Sequence, residues 1–176
     1  MPQPKIKLRA FERTDLDLVH KLFNNPELLQ FLSPEVMMPY SRDEEAVFIE
    51  NNVNPKNKDT SYCFAIEAGG KLIGGCSYQR VSHKNRTCYI GISVYSPTHW
   101  GKGYGATALR ELLKFLFHEK NLRKALLEVY DFNKRAITCY EKVGFRQEGV
   151  LKEQLYRDGK YHDVHVMAVF ARDFKA

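Results

Sequence analysis

One helix-length segment held between two strand-like runs constrains this chain more than any other feature. RTCYIGISVY (86–95) alternates through Ile90, Ile92 and Val94, and KALLEVY (124–130) is a short apolar run. Between them, Leu109, Leu112, Leu113, Leu116 and Phe117 recur at helical spacing, which predicts a helix over 104–118. Two strands of one sheet joined through a single helix run parallel, by a right-handed crossover. The other strand signals behave differently. SYCFAIEA and KLIGGCSYQRV flank Gly69-Gly70, and FRQEGVLKEQLY and YHDVHVMAVF flank a turn at Asp158-Gly159, so both pairs read as antiparallel hairpins.

KIKLRAF (5–11) supplies a first strand. Thr14 is read as the cap of a helix through Leu16, Val19, Leu22 and Phe23, with Pro26 beyond its end. Ser41 and Glu44 form a capping box for a helix to about Asn51. Asn133 caps a later helix that Gly144 ends. The predicted order is β-α-α-β-β-β-α-β-α-β-β. The fold class is mixed α+β: a central, twisted, mostly antiparallel sheet of about seven strands, one parallel pair, and helices on both faces. A single domain over 5–174 accommodates it.

Bulk properties narrow the function. The 176 residues are 44% hydrophobic and 27% charged, a globular profile. No apolar run approaches a membrane span of about 18 residues, and MPQPKIKLRAF lacks a leader's apolar core, so a cytoplasmic location without a membrane partner is expected. Cys63, Cys76, Cys88 and Cys139 are widely spaced, which favours buried free thiols over a disulfide or a metal site. The net charge of +6 is uneven: residues 1–60 hold 8 Lys+Arg against 10 Asp+Glu, and residues 61–176 hold 19 against 11. No basic run interleaved with aromatics marks a nucleic-acid surface.

The segment THWGKGYGATAL (98–109) carries the chemistry. Gly101, Gly103 and Gly105 open a helix, where free N–H groups and a positive dipole end favour an anion, and Lys102 adds a cation. Gly101, Gly103 and Ala106 also match the dinucleotide pattern G-x-G-x-x-A, with Glu128 about 20 residues on. Against that reading, YSPTHW separates the strand from the first glycine, and the chain has one crossover unit rather than a repeated set.

Three stretches resemble the GNAT superfamily of acetyl-CoA-dependent N-acetyltransferases. Trp100-Gly101-Lys102-Gly103-Tyr104-Gly105 is similar to its [RQ]-x-x-G-x-[GA] loop, with Trp at the first position. NKRAITCYEKVGF (133–145) is similar to N-x-x-A-x-x-x-Y-x-x-x-G-F, and EGVLKEQLYRDGKYHDVHVMAVF (148–170) to the closing hairpin. The branch it looks like holds the ribosomal-protein N-terminal and polyamine acetyltransferases, and the likeness runs from about residue 5 to 174.

The resemblance implies acetyl-CoA as co-substrate, no metal, and direct transfer to a primary amine in a ternary complex. Backbone groups of Ile92, Ser93 and Val94 would pair with pantetheine, Trp100, Gly101, Lys102, Gly103, Tyr104, Gly105 and Ala106 would hold the pyrophosphate, and Asn133 would sit beside the cofactor. Tyr140 would protonate the departing thiolate; a phenol stays protonated at neutral pH. Several relatives carry Glu on the fourth strand where this chain has Tyr89, so the base stays open among a water chain, Glu67, Glu128, Asp163, His162 and His165. The acceptor is expected to be a polyamine-like or other cationic small molecule, or a protein N-terminus. It would meet Glu35, Tyr40, Tyr89 and Glu128, steered by Asp43, Glu44, Glu45 and Glu50. FLSPEVMMPY (31–40) would be a lid, a substrate wall or a dimer contact, and a homodimer is expected. A nucleotide-linked oxidoreductase and a non-catalytic acyl-CoA-binding module remain as alternatives.

Overall fold

The computed structural model describes residues 4–32 and 38–175. Seven strands form one sheet: β1 (Lys7–Arg9), β2 (Tyr62–Ala68), β3 (Lys71–Ser82), β4 (Thr87–Val94), β5 (Lys124–Tyr130), β6 (Arg146–Arg157) and β7 (Lys160–Phe170). Their order is β1-β2-β3-β4-β5-β7-β6, and every pairing is antiparallel except β4 with β5. That parallel ladder is short. It joins Thr87 to Lys124, Cys88 to Ala125 and Tyr89 to Leu126, and then the strands part. Beyond Tyr89, β4 keeps β3 on one side and, among the described residues, has no strand on the other.

Five helices cover the two faces: α1 (Leu16–Phe23), α2 (Pro26–Leu32), α3 (Arg42–Val53), α4 (Tyr104–Lys114) and α5 (Lys134–Val143). The chain continues from α4 through one wider turn, Phe115–Glu119. On one face Leu109, Leu112, Leu113 and Leu116 pack against Ile66, Ile73 and Ala125 with α5 alongside. On the other, Val19, Leu28 and Ile49 of α1 to α3 pack against Phe11, Ala65, Leu72 and Tyr95.

Two local expectations need correction. Pro26 lies just beyond the end of α1, as expected, but it also opens α2, a helix absent from the predicted order. Asn25 Oδ1 accepts the Glu27 N–H at 2.9 Å, and proline loses nothing at a helix start, where its N–H would be unpaired anyway. Thr14 does not cap α1. The chain enters through a 3-10 turn, Arg13–Asp15, in which the Glu12 N–H donates to Asp15 Oδ2 at 2.9 Å. The Ser41–Glu44 box, the Asn133 cap and the left-handed Gly144 stop all form as expected. Gly69-Gly70 and Asp158-Gly159 all take positive φ, the geometry of a two-residue hairpin turn.

Arg9 ties the sheet edge to the helical entry. Its Nε donates to Glu67 Oε2 at 2.8 Å, and its two terminal nitrogens reach the Asp15 carboxylate at 2.8 Å each.

Candidate active site

The parting of β4 from β5 opens a cleft of about 1020 Å³ through the sheet. The glycine loop closes one end. Gly101 and Gly103 have φ of +72° and +87°, a conformation that costs any residue with a Cβ about 1–2 kcal/mol. Gly103 is the N-cap of α4, and the first backbone bond of the helix runs from the Thr107 N–H to the Gly103 carbonyl. Among the described residues, no N–H from Gly101 to Ala106 has an acceptor. These donors converge on a helix start, so the loop has the charge and the bare backbone that an anion requires. Lys102 is exposed and, unlike the other residues of 100–106, does not contribute to the cleft wall.

Ile92, Ser93 and Val94 line the cleft along the open edge of β4. The Ser93 hydroxyl is buried there without a hydrogen-bond partner. The Val94 carbonyl is engaged, because Trp100 Nε1 donates to it at 2.6 Å. Trp100 therefore braces the strand through its indole N–H while lining the same cleft. Asn133 both caps and faces the cleft: its Oδ1 accepts the Ala136 N–H at 3.3 Å, and its amide nitrogen keeps its donors free among the described residues.

Tyr140 lies on α5 with its ring against Phe145, 8% exposed, and lines the same cleft. Its hydroxyl has no partner among the described residues. Burial, aided by the neighbouring Cys139, pushes the phenol well above its ordinary value. Cys63 and Cys139 also line the cleft, but burial raises both thiols, Cys63 to about 12. Neither is a thiolate near neutral pH, which disfavours a covalent acyl-cysteine route.

The acidic candidates separate clearly. Glu128 is on β5, alternating with the core residues Leu127 and Val129, so its side chain points to the sheet face that carries α1 to α3 and lines the cleft there. Glu67 is held by Arg9, Asp163 by Lys152 at 2.7 Å, and His162 by Asp131 at 2.9 Å; none of these, nor His165, reaches the cleft wall. Glu35 lies outside the described residues. Tyr40 is not in the cleft: its backbone pairs with the Asn24 side chain through both N–H and carbonyl, and its ring meets Phe23. Tyr89 is also outside it, beneath the Arg80 guanidinium. The helical acids have structural work: Glu44 closes the capping box, Glu45 is buried against His20 Nδ1 at 2.5 Å, and Glu50 pairs with Arg13. Asp43 is exposed and away from the cleft wall.

Sequence reasoning missed the aromatic cluster at the cleft mouth. Phe31 of α2 contacts Trp100 and Phe132, and Arg135 lies 3.6 Å from the Trp100 ring centroid. Phe31, Trp100 and Arg135 sit far apart in sequence, and only the folded chain joins them.

The sequence model of one family, described as Acetyltransferase (GNAT) domain, matches residues 5–146. The chain belongs to the GNAT acetyltransferases. It is 32% identical to the spermidine N(1)-acetyltransferase of Vibrio cholerae serotype O1 over 94% of this chain and 92% of that one. The crystal structure of the Vibrio cholerae spermidine N-acetyltransferase in complex with CoA and spermine superposes with a TM-score of 0.81 at 30% identity, covering 96% of each chain. A dodecameric structure of that enzyme superposes with a TM-score of 0.74 at 30% identity, over 94% of this chain and 93% of that one. The GNAT chain described here is an acetyl-CoA-dependent N-acetyltransferase with the expected mixed seven-stranded fold. The oxidoreductase reading and the non-catalytic reading gain nothing from these likenesses. No helix among the described residues is long and apolar enough to cross a membrane.

Proposed function

We propose that acetyl-CoA lies in the β4–β5 opening, with its pyrophosphate on the 101–106 amides, and that the acceptor is a polyamine-like primary amine. The observation that carries the pose is the convergence, on one cleft, of unpaired loop N–H groups, an open strand edge and the Tyr140 hydroxyl. The amine nitrogen attacks the thioester carbonyl, whose developing charge is met by N–H groups of the β4 edge. The C–S bond then breaks, and Tyr140 gives its proton to the thiolate. The amine's proton leaves through Glu128 or water beside it.

Glu128 is the one carboxylate in the cleft wall among the described residues, and it sits on the acceptor face. The spermidine and spermine named for the similar enzymes support a cationic amine there. A panel of amines, assayed for thiol release from acetyl-CoA, tests this. Spermidine should outrun neutral monoamines, and Glu128→Gln should raise the spermidine KM by about tenfold, as loss of one charge-assisted contact does. A preference for neutral or acidic amines would overturn the acceptor assignment.

A second reading, a protein N-terminus, draws on the neutral Ser77, Gln79 and Gln154 that share the wall with Glu128. Self-association through the β6–β7 hairpin is proposed on the exposure of Leu151, Tyr156 and Tyr161, with the Vibrio cholerae dodecamer as support. A cytoplasmic site of action is proposed on the four free thiols, which a reducing compartment maintains.

A further inference from the structure

Arg135 is placed where neither the family loop nor a structural ion pair accounts for it. It stands in the first turn of α5 and lines the cleft. Its guanidinium carbon is 3.6 Å from the Trp100 ring centroid and 5.4 Å from that of Phe31. No carboxylate lies within ion-pair distance of it among the described residues. Partial burial lowers its pKa and outweighs the opposing influence of Cys139 and the Glu27 carboxylate.

Trp100 belongs to the loop after β4, and Arg135 to the helix after β5. Their stack therefore spans the mouth of the opening. Its strength is that of a cation on an aromatic face, and a doubly bonded phosphate is the stronger partner for a guanidinium. The unpaired N–H groups of the glycine loop begin one residue beyond Trp100.

We propose that Arg135 is a latch for the co-substrate: it rests on the Trp100 face in the free enzyme and moves to the CoA pyrophosphate when CoA enters. This rests on the proposed pose of CoA on the glycine loop. The planar stack keeps the guanidinium at the mouth and ready, and its release opens the path that pantetheine must take. Lysine would keep the charge but lose the flat stack and the forked donors.

Trp100 is the only tryptophan in the chain, so its fluorescence reports the stack directly. CoA, dephospho-CoA and pantetheine are titrated into the wild type, Arg135→Gln and Arg135→Lys, by tryptophan emission and by calorimetry. Arg135→Gln should weaken CoA and dephospho-CoA alike by about tenfold and leave pantetheine unchanged, since only a phosphate contact is lost. Arg135→Lys should retain most of the CoA affinity while showing the emission of an unstacked indole before any ligand is added. Equal losses for CoA and pantetheine would mean that Arg135 only props Trp100, and would overturn the proposal. So would an unchanged CoA affinity in Arg135→Gln. A loss confined to CoA and absent for dephospho-CoA would overturn the pyrophosphate assignment. Loss of CoA binding in Gly103→Val separates this test from the underlying pose, which fails only if that loop variant binds CoA normally.

Discussion

At the scale of single residues, the proposed chemistry depends on one phenol. Tyr140 is buried, its hydroxyl has no partner among the described residues, and its pKa is well above the ordinary value, so it is protonated throughout the range in which an amine substrate is competent. Tyr140→Phe keeps the ring on Phe145 and removes the donor. Turnover should fall by about 10²–10⁴-fold with acetyl-CoA affinity nearly unchanged, measured by thiol release and calorimetry. Because the phenol is raised, no alkaline loss of kcat from its ionisation should appear below about pH 10. Asp15 offers a test of stability instead. Burial pushes its carboxyl up, but the Arg9 hydrogen bonds, the Glu12 N–H and the Arg9 charge outweigh burial and hold it below the usual range. The stabilisation is complete above the ordinary carboxylate value of about 4 and is lost as pH falls through the lowered folded value. Asp15→Asn should cost about 2 kcal/mol near neutral pH, and the gap in Tm from wild type should narrow as pH drops below about 4.

Among elements, the loop and the helix it opens are the proposed seat of the co-substrate. Gly103→Val forces a branched residue into φ +87° and sets its Cβ 3.3 Å from Pro4 Cδ. Stability should fall by about 1–2 kcal/mol, and CoA affinity by well over tenfold, which denaturant titration and calorimetry separate. The local code for these elements is strong, and so they were legible. Helical spacing from Leu109 to Phe117, the Ser41 box and the Asp158-Gly159 turn each depend on neighbours in sequence. α2 was not legible as a helix because Pro26 signals both a stop and a start, and the Asn25 cap that decides between them is one contact. Within the site, the glycines and Tyr140 are marked by spacing, whereas the acids are not. Glu44, Glu45 and Glu50 look alike in sequence to a cation-steering cluster, and only their partners Ser41, His20 and Arg13 show them to be structural. Glu128 stands apart because strand alternation puts it on the sheet face that carries α1 to α3, which can be known only when the opposite face is known to be core.

For the whole molecule, the sheet places the cleft and the proposed assembly surface in different regions. The one parallel pair opens near the middle of the strand order, while β6 forms an edge whose hairpin exposes Tyr156 and Tyr161, their rings 5.1 Å apart. Ultracentrifugation at micromolar concentration should give a mass at least twice the 20.5 kDa chain, and Tyr156→Ser with Tyr161→Ser should lower it. A wild-type mass of 20.5 kDa would remove the assembly proposal and leave the cleft untouched. The central claim is that acetyl-CoA enters where β4 leaves β5 and rests its phosphates on the start of α4. Amide-resolved hydrogen exchange, with and without saturating acetyl-CoA, tests it directly. The Gly103, Tyr104, Gly105 and Ala106 amides have no acceptor among the described residues, and they should exchange fast alone and slow markedly with ligand, together with amides along Ile92–Val94. Unchanged exchange at these positions, with acetyl-CoA shown by calorimetry to be bound, would contradict the account.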